Sequence, residues 1–476
     1  MSTRDERRIG DARGETRATL TLAWPMTGSM LALILTDTVD VLMIGHLGEE
    51  ALAAAALGFN YFILFVLFAV GATSAVSALG AQAVGAGDAR GVRRTMRQGL
   101  WFGLLASGPC IALMMATEPL LIFLGQDPAL AAMAQGYLDY LAWTILPLFL
   151  ILVFRNTMAA YEVVRPALLI VLSLVPINVG LNWVFMFGGL GLVEPMGLPG
   201  AALATLIAES AGVAVYILYL LRAARFRAMA LFQNLHRPDW PRFWALVRIG
   251  LPAGGLSVVE HAMFVIAALM MGLIGTTELA AYHIATQVLS LLFVVPFGLS
   301  QAAAIRIGAA AGARDLEQVR LRGRTVFRLT AAAMGLFGLL LWLLPETLIA
   351  LFVNDADPNA ADLIALGAGY LVIAAVFQLV DGLQIVACGA LRGLNDTIAA
   401  FWLGLVGYIA AGAGFAWLFA FPLGLGGAGV WWGLAVGLAL VAGLALARFH
   451  HQTRAAGRAF RRLLPDEAPA PGESPA

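Results

Sequence analysis

Apolar runs of about twenty or more residues recur along the whole chain, separated by short stretches rich in arginine, acid, glycine or proline. A helix rises about 1.5 Å per residue, so each such run crosses a ~30 Å hydrocarbon core. On this pattern helices are expected near residues 19–44, 51–82, 97–117, 132–155, 166–188 and 197–221. A second set is expected near 245–274, 278–308, 325–347, 363–390, 398–420 and 427–447. The ten-residue alternating segments of a transmembrane barrel do not occur. The expected fold is an all-α integral membrane protein with twelve transmembrane helices.

The two sets of six are copies. MIGHLGEEALAA from Met43 to Ala54 aligns without a gap on MMGLIGTTELAA from Met270 to Ala281, an offset of 227. The same offset relates Pro25 to Pro252, Gly85 to Gly312, Asp88 to Asp315, and GLPGAA at Gly197 to GLGGAG at Gly424. A repeat of that length is no solenoid. It divides the chain into a tail (1–18), an N-lobe (19–221), a linker (222–244), a C-lobe (245–448) and a Pro-rich, disordered tail (449–476). Six spans is an even number, so both lobes enter the membrane from one side and are expected to be related by a pseudo-two-fold axis along its normal.

Composition agrees: 61% of the 476 residues are hydrophobic and 12% charged, far from a soluble domain. The formal net charge of zero conceals an asymmetry, because all 29 basic residues are arginine. Alternate loops carry them: the N-terminal tail, Arg90 to Arg97, Arg155 and Arg165, the Arg222–Arg248 linker, Arg314 to Arg328, Arg392 and the C-terminal tail. The opposite loops hold Glu49, Glu50, Glu118, Asp127, Glu194, Glu278, Glu346, Asp355 and Asp357. By the positive-inside rule both termini are expected in the cytoplasm. Arginines interleaved with Phe226, Leu231, Phe232 and Trp240 suggest an interfacial helix in the linker. Cys110 and Cys388 fall in spans with no metal-like spacing and read as apolar fillers.

Six acids fall within expected spans: Asp37, Asp40, Asp139, Glu209, Glu260 and Asp381. A charge at that depth costs about 3 kcal/mol on insertion scales, so such a residue is neutralised or used. Asp40, Glu260 and Asp381 are the candidates for coupling a cation or proton, with Glu260 and Asp381 possible Na⁺ ligands; the plainer alternative is a protonated carboxyl that holds helices together. Asp37 is one turn from Asp40. Gln378 and Gln384 lie three residues either side of Asp381, on its face. Asn178 and Asn182, also a turn apart, line one face and either coordinate an ion or cross-link helices. Phe264, His283 and Gln287 complete the candidate cavity residues; His261 and His283 could relay protons. Asp139 reads as interfacial, Glu209 as a packing contact. No phosphate loop, HExxH or GxSxG motif is present. Transport energy would come from an ion gradient.

The chain resembles the multidrug and toxic compound extrusion (MATE) transporters over nearly its whole length. WPM, DTVDVLMIGHLG, LGAQAVGAG, NVGLNWVFMFGGLG, RIGLP, AAYHIATQ and ALRGLNDT carry the likeness. The resemblance implies a V-shaped, two-lobed fold that exchanges organic cations for Na⁺ or H⁺. Glu260, Asp381 and Asp40 match the acids of its NorM-like branch, and Asn182 stands where the DinF-like branch has Asp. Ile284 departs from the pattern, where Gln would be expected. The expected function is a multidrug efflux antiporter of the bacterial inner membrane, acting as a monomer on small cationic or amphipathic substrates, with no cofactor besides the coupling ion, no nucleic-acid partner and no enzymatic activity. A lipid-precursor flippase would need an arginine-lined cavity. An integral membrane enzyme would need a catalytic cluster at one membrane face.

Overall fold

The computed structural model describes residues 3–191, 193–353 and 360–454; Asp355, Asp357 and the tail from 455 lie outside the described residues. The N-lobe helices are α1 (Thr3–Gly45), α2 (Glu49–Gly85), α3 (Ala89–Met114), α4 (Pro128–Ala160), α5 (Arg165–Phe187) and α6 (Leu198–Arg222). The C-lobe helices are α7 (Trp240–Ile274), α8 (Thr276–Gly312), α9 (Leu316–Leu343), α10 (Ala360–Gly393), α11 (Thr397–Ala420) and α12 (Gly426–Arg454). Eleven of them are each long and apolar enough to span a membrane. The twelfth span is α3 joined to the short helix Thr117–Phe123 across a 46° bend. Gln135 on α4 sets that bend: its Oε1 accepts from the backbone N–H of Thr117 (3.1 Å) and Glu118 (2.9 Å), capping the second segment from outside. Gln135 in turn donates to Asp139 at 2.6 Å, and Asp139 is exposed, as an interfacial acid should be.

Several helices are longer than hydropathy suggests, because aspartates start them outside the apolar run. Asp88 accepts from the N–H of Gly91 (2.8 Å) and its repeat mate Asp315 from that of Gln318 (3.0 Å), so α3 and α9 begin eight and nine residues before the expected positions 97 and 325. Asp239 likewise caps α7, which starts at Trp240 rather than 245. Two expectations fail here. α4 runs to Ala160, so Arg155 belongs to a helix and not to a loop. α12 runs to Arg454 with Phe449 buried, so the first residues of the supposed tail are helical core. The linker helix is a single short piece, Ala224–Arg227, whose Phe226 is buried; its following turn is pinned to α3 by Trp101 Nε1 donating to the Leu235 carbonyl (2.9 Å).

The lobes meet through reciprocal glycine contacts. A Cβ on Gly85 would come within 1.9 Å of the Ala309 carbonyl oxygen, and one on Gly312 within 1.9 Å of that of Gln82. These four residues are two pairs of repeat mates, so each lobe presents the same surface to the other about a two-fold axis. Gly71 against Gly254 and Gly298 against Thr27 form a second reciprocal pair further along the same helices. Only a missing side chain permits backbones this close. Among the described residues, every hydrogen bond between the lobes lies from Thr27 Oγ1 and the Val294 carbonyl (3.3 Å) toward the arginine-bearing side, including Gln82 Nε2 to the Gly393 carbonyl (2.9 Å) and Asn395 Nδ2 to Gln82 Oε1 (2.8 Å).

At that side the contact becomes ionic. Arg306 on α8 holds Glu15 on α1 bidentately, at 2.5 and 2.6 Å, and reaches Glu162 at 2.9 Å; Arg322 on α9 stands 3.6 Å from Glu15. Glu15 and Arg306 are both buried. The repeat copy of this arrangement is Arg242 facing the Leu79 carbonyl (3.4 Å) and the Thr95 hydroxyl (2.9 Å). The frame of the interface is symmetric, and its charge is not.

Candidate functional site

Each lobe holds an acid cluster. In the N-lobe, Asp40 on α1 accepts from Asn182 Nδ2 on α5 at 2.6 Å, and the same amide donates to Asn178 Oδ1 one turn away at 3.0 Å. Asn178 passes the chain on to Thr205 of α6 (3.3 Å). Both asparagines are buried and tie α5 to α1 and α6, one of the two roles the one-turn spacing left open. Asn182 has spent both amide protons and its Oδ1 has no partner. Glu209 on α6 also leaves a buried carboxylate oxygen unpartnered, and it feels the charge of Asp37. Among the described residues Glu209 has no packing hydrogen bond of the kind expected, and its charge couples to Asp37 in the cluster with Asp40. Its acidity was visible in the sequence, but not that α6 would face α1.

In the C-lobe, Glu260 on α7 and Asp381 on α10 lie within reach of each other's charge. Glu260 Oε1, Asp381 Oδ1, Gln378 Oε1 and Gln384 Oε1 are all buried without a donor. The two glutamines share the face of Asp381 but direct their amide N–H groups away from it. Gln378 turns its amide to Met334 Sδ (3.5 Å) and Gln384 donates to the Tyr408 hydroxyl on α11. Tyr408 is fully buried and close to both acids, yet nothing in the sequence singled it out. It sits in the π-helical stretch Leu405–Ala413, a local change of winding frequent at functional sites and without a sequence signature. Cys388 is buried and unbridged.

His283 and Gln287 do not join either cluster. Both are exposed on α8, and His283 has a single ring contact, with Tyr282. A side chain placed one position from a buried residue on a helix faces elsewhere, which neighbourhood in sequence conceals. Phe264 packs edge-on against Phe377 with centroids 6.1 Å apart, so it is a packing residue beside the Glu260 cluster. His261 is half-buried and its ring makes no hydrogen bond among the described residues. Among the described residues no three His, Cys, Asp or Glu side chains converge as for a transition metal. What the C-lobe offers instead is a group of oxygen acceptors lacking donors, in a place where a bare carboxylate is costly. Chemically that is a seat for a proton or a hard, oxygen-preferring cation.

Twelve apolar helices in two repeated lobes, with acids buried in each, are the build of a membrane transporter. The chain belongs to the MatE family, whose model matches residues 25–184 and 252–418, one segment in each lobe. It is 42% identical over 446 residues to a protein of Mesorhizobium japonicum named a probable multidrug resistance protein NorM, covering 93% of this chain and 95% of the relative. A Rhodopseudomonas palustris protein of the same name is 41% identical over 442 residues, 93% of each chain. The fold matches the crystal structure of the eukaryotic MATE transporter AtDTX14 with a TM-score of 0.83 at 21% identity, covering 95% of this chain and 100% of that one. It matches equally, at 0.83 and 20% identity, a structure described as the outward-facing conformation of a multidrug resistance MATE family transporter, covering 94% of this chain and 97% of that one. The protein is therefore a multi-pass membrane transporter and not an enzyme.

Proposed function

We propose that this transporter is a multidrug efflux antiporter of the bacterial inner membrane, exporting organic cations or amphipathic drugs in exchange for Na⁺ or H⁺. The names of its relatives support multidrug export, and the buried acids favour cationic substrates. The observation that carries the coupling is the pair Glu260 and Asp381, whose buried oxygens Oε1 and Oδ1 no protein donor satisfies. A coupling ion and a cationic substrate compete for such carboxylates, so binding one releases the other. The low dielectric between helices strengthens that competition. Asp40, tied to Asn182, is a second acid through which the N-lobe takes part.

The positive-inside rule assigns the arginine-bearing side, with both termini, to the cytoplasm. On that assignment the Glu15–Arg306–Glu162 contact closes the cytoplasmic face and the described state opens outward. Alternating access then consists of breaking this contact and closing the acidic side. The unpartnered groups of both clusters are carboxylate and amide oxygens, and Arg392, whose charge reaches Glu260, is engaged by Gln301 and Ser300; such acceptors favour cations over the diphosphates of a lipid-precursor flippase.

The test is ethidium efflux from proteoliposomes under Na⁺ and pH gradients imposed separately. One gradient should drive efflux, and Glu260→Gln or Asp381→Asn should abolish it with insertion intact. Wild-type efflux in either variant would remove the proposed exchange site.

A further inference from the structure

The segment that joins the lobes carries charge that no acid of the described residues neutralises. Arg222, Arg225, Arg227 and Arg237 are all exposed and make no hydrogen bond or ion pair among the described residues. From residue 210 to residue 259 the single acid is Asp239, and Arg94 of α3 already holds it through two nitrogens. The other arginines of α3 that face the linker are also committed. Arg93 donates to the Met229 carbonyl (3.4 Å) and to Gln233 Oε1 (3.3 Å), and Arg97 to the Asn234 carbonyl (3.3 Å). One set of arginines thus fastens the linker, and the other is left open to solvent. The corresponding face of the C-lobe is built differently: Asp315 and Glu317 stand among its arginines, and Arg320 is spent on the Thr453 carbonyl (2.9 Å).

The free arginines are also held in place and at a definite depth. Phe226 and Leu231 are buried, and Phe226 packs edge-on against Tyr161 with centroids 5.9 Å apart. The Arg225 guanidinium lies over the same Tyr161 ring, 5.1 Å from its centre. Groups held in this way lose less freedom when they meet an anion. Before the linker Leu218 and Leu221 of α6 are exposed, and after it Trp240 and Trp244 of α7. Exposed leucines of a span face acyl chains, and tryptophans at its end mark the membrane interface. The arginines between these two flanks therefore stand at headgroup level.

We propose that Arg222, Arg225, Arg227 and Arg237 form a docking surface for the headgroups of anionic phospholipids such as phosphatidylglycerol. Charge complementarity carries the assignment: a lipid phosphate supplies the acceptors that these guanidinium groups lack within the protein. The lipid-facing flanks keep the acyl chains beside the same arginines, a contact that a soluble anion does not make. The surface involves neither acid cluster, so it is independent of the exchange of ions for drugs.

The experiment is native mass spectrometry of the purified full-length protein in neutral detergent, titrated with phosphatidylglycerol and with phosphatidylcholine of the same chains. The wild type should bind phosphatidylglycerol about tenfold or more tightly than phosphatidylcholine, since each arginine near the surface is worth roughly a factor of five toward an anionic lipid. Replacing Arg222, Arg225 and Arg227 together by Gln should bring the two lipids within about threefold of each other. Replacing the same three by Lys keeps the charge and should keep most of the preference. Arg237→Gln alone, in an exposed turn, should cost about fivefold. The control removes three exposed arginines of the C-lobe, Arg324, Arg328 and Arg454, and should leave the preference within about twofold of the wild type. A wild type that does not distinguish the two lipids, an undiminished preference in the linker Gln variants, or an equal loss in the control would each overturn the proposal.

Discussion

At the scale of the residue, what stands out is how many buried oxygens are left waiting. Tyr408 shows how one side chain arranges this. By accepting from Gln384 Nε2 its hydroxyl fixes the amide, and the Gln384 oxygen remains free beside Glu260 and Asp381. Tyr408→Phe keeps the ring in its buried place and removes that acceptor. A net hydrogen bond is worth about 1 kcal/mol, so the concentration of coupling ion needed for half-maximal dye efflux should rise about fivefold with thermal stability little changed. An unchanged ion dependence would show that the amide needs no holding. The acids themselves were legible because a charge in an apolar run has no ordinary reason to be there. Tyr408 was not, because a tyrosine is unremarkable in a span.

At the scale of the element, the repeat was readable to the residue, but not which helices of the two lobes would meet. The ends of the helices were not, since aspartate caps extend α3, α7 and α9 beyond what hydropathy marks. Nor could the sequence say that Gly85 and Gly312, visible as repeat mates, touch each other's helices rather than their own lobes. Gly312→Val forces a side chain against the Gln82 carbonyl where even a Cβ would be 1.9 Å away. Overpacking of this kind costs about 1–3 kcal/mol, and should lower the unfolding midpoint of the purified protein by several degrees. Gly335, with open space around it, is the control and should tolerate the same change. The cap of α7 gives a pH signature. Asp239 lies outside the spans, and the hydrogen bond from Arg94, with its charge, holds the Asp239 carboxyl below the usual range. A lowered value in the folded state contributes stability above the unfolded value near ~3.9, and that contribution is lost as pH falls through the folded value. Asp239→Asn preserves the cap and should flatten the acid limb of the stability profile while leaving the neutral limb parallel to the wild type.

At the scale of the molecule, the state described is held by the ion pairs that join the lobes at the arginine-bearing side. Removing one partner leaves a buried charge uncompensated, at a cost of about 3–5 kcal/mol, whereas removing both is far milder. Glu15→Gln should therefore shift the lobes toward the opposite opening, read as a longer distance between spin labels placed at the Arg90 and Arg314 loops. Glu15→Gln with Arg306→Gln should recover much of the wild-type distribution. Equal distances in the single variant and the wild type would show that glycine packing alone sets the state. None of this cluster could be inferred locally: Glu15 and Arg306 are 291 positions apart, and Glu15 lies in what hydropathy assigns to a tail.

The near-identity of the two glycine surfaces has a mechanical corollary. A fulcrum built from two matching bearings resists tilting to either side alike, so it cannot by itself favour one opening over the other. Whatever sets the resting posture must come from positions where the copies differ, such as Glu15 and its repeat mate Arg242, and editing those positions would change which side rests closed while the pivot stays untouched.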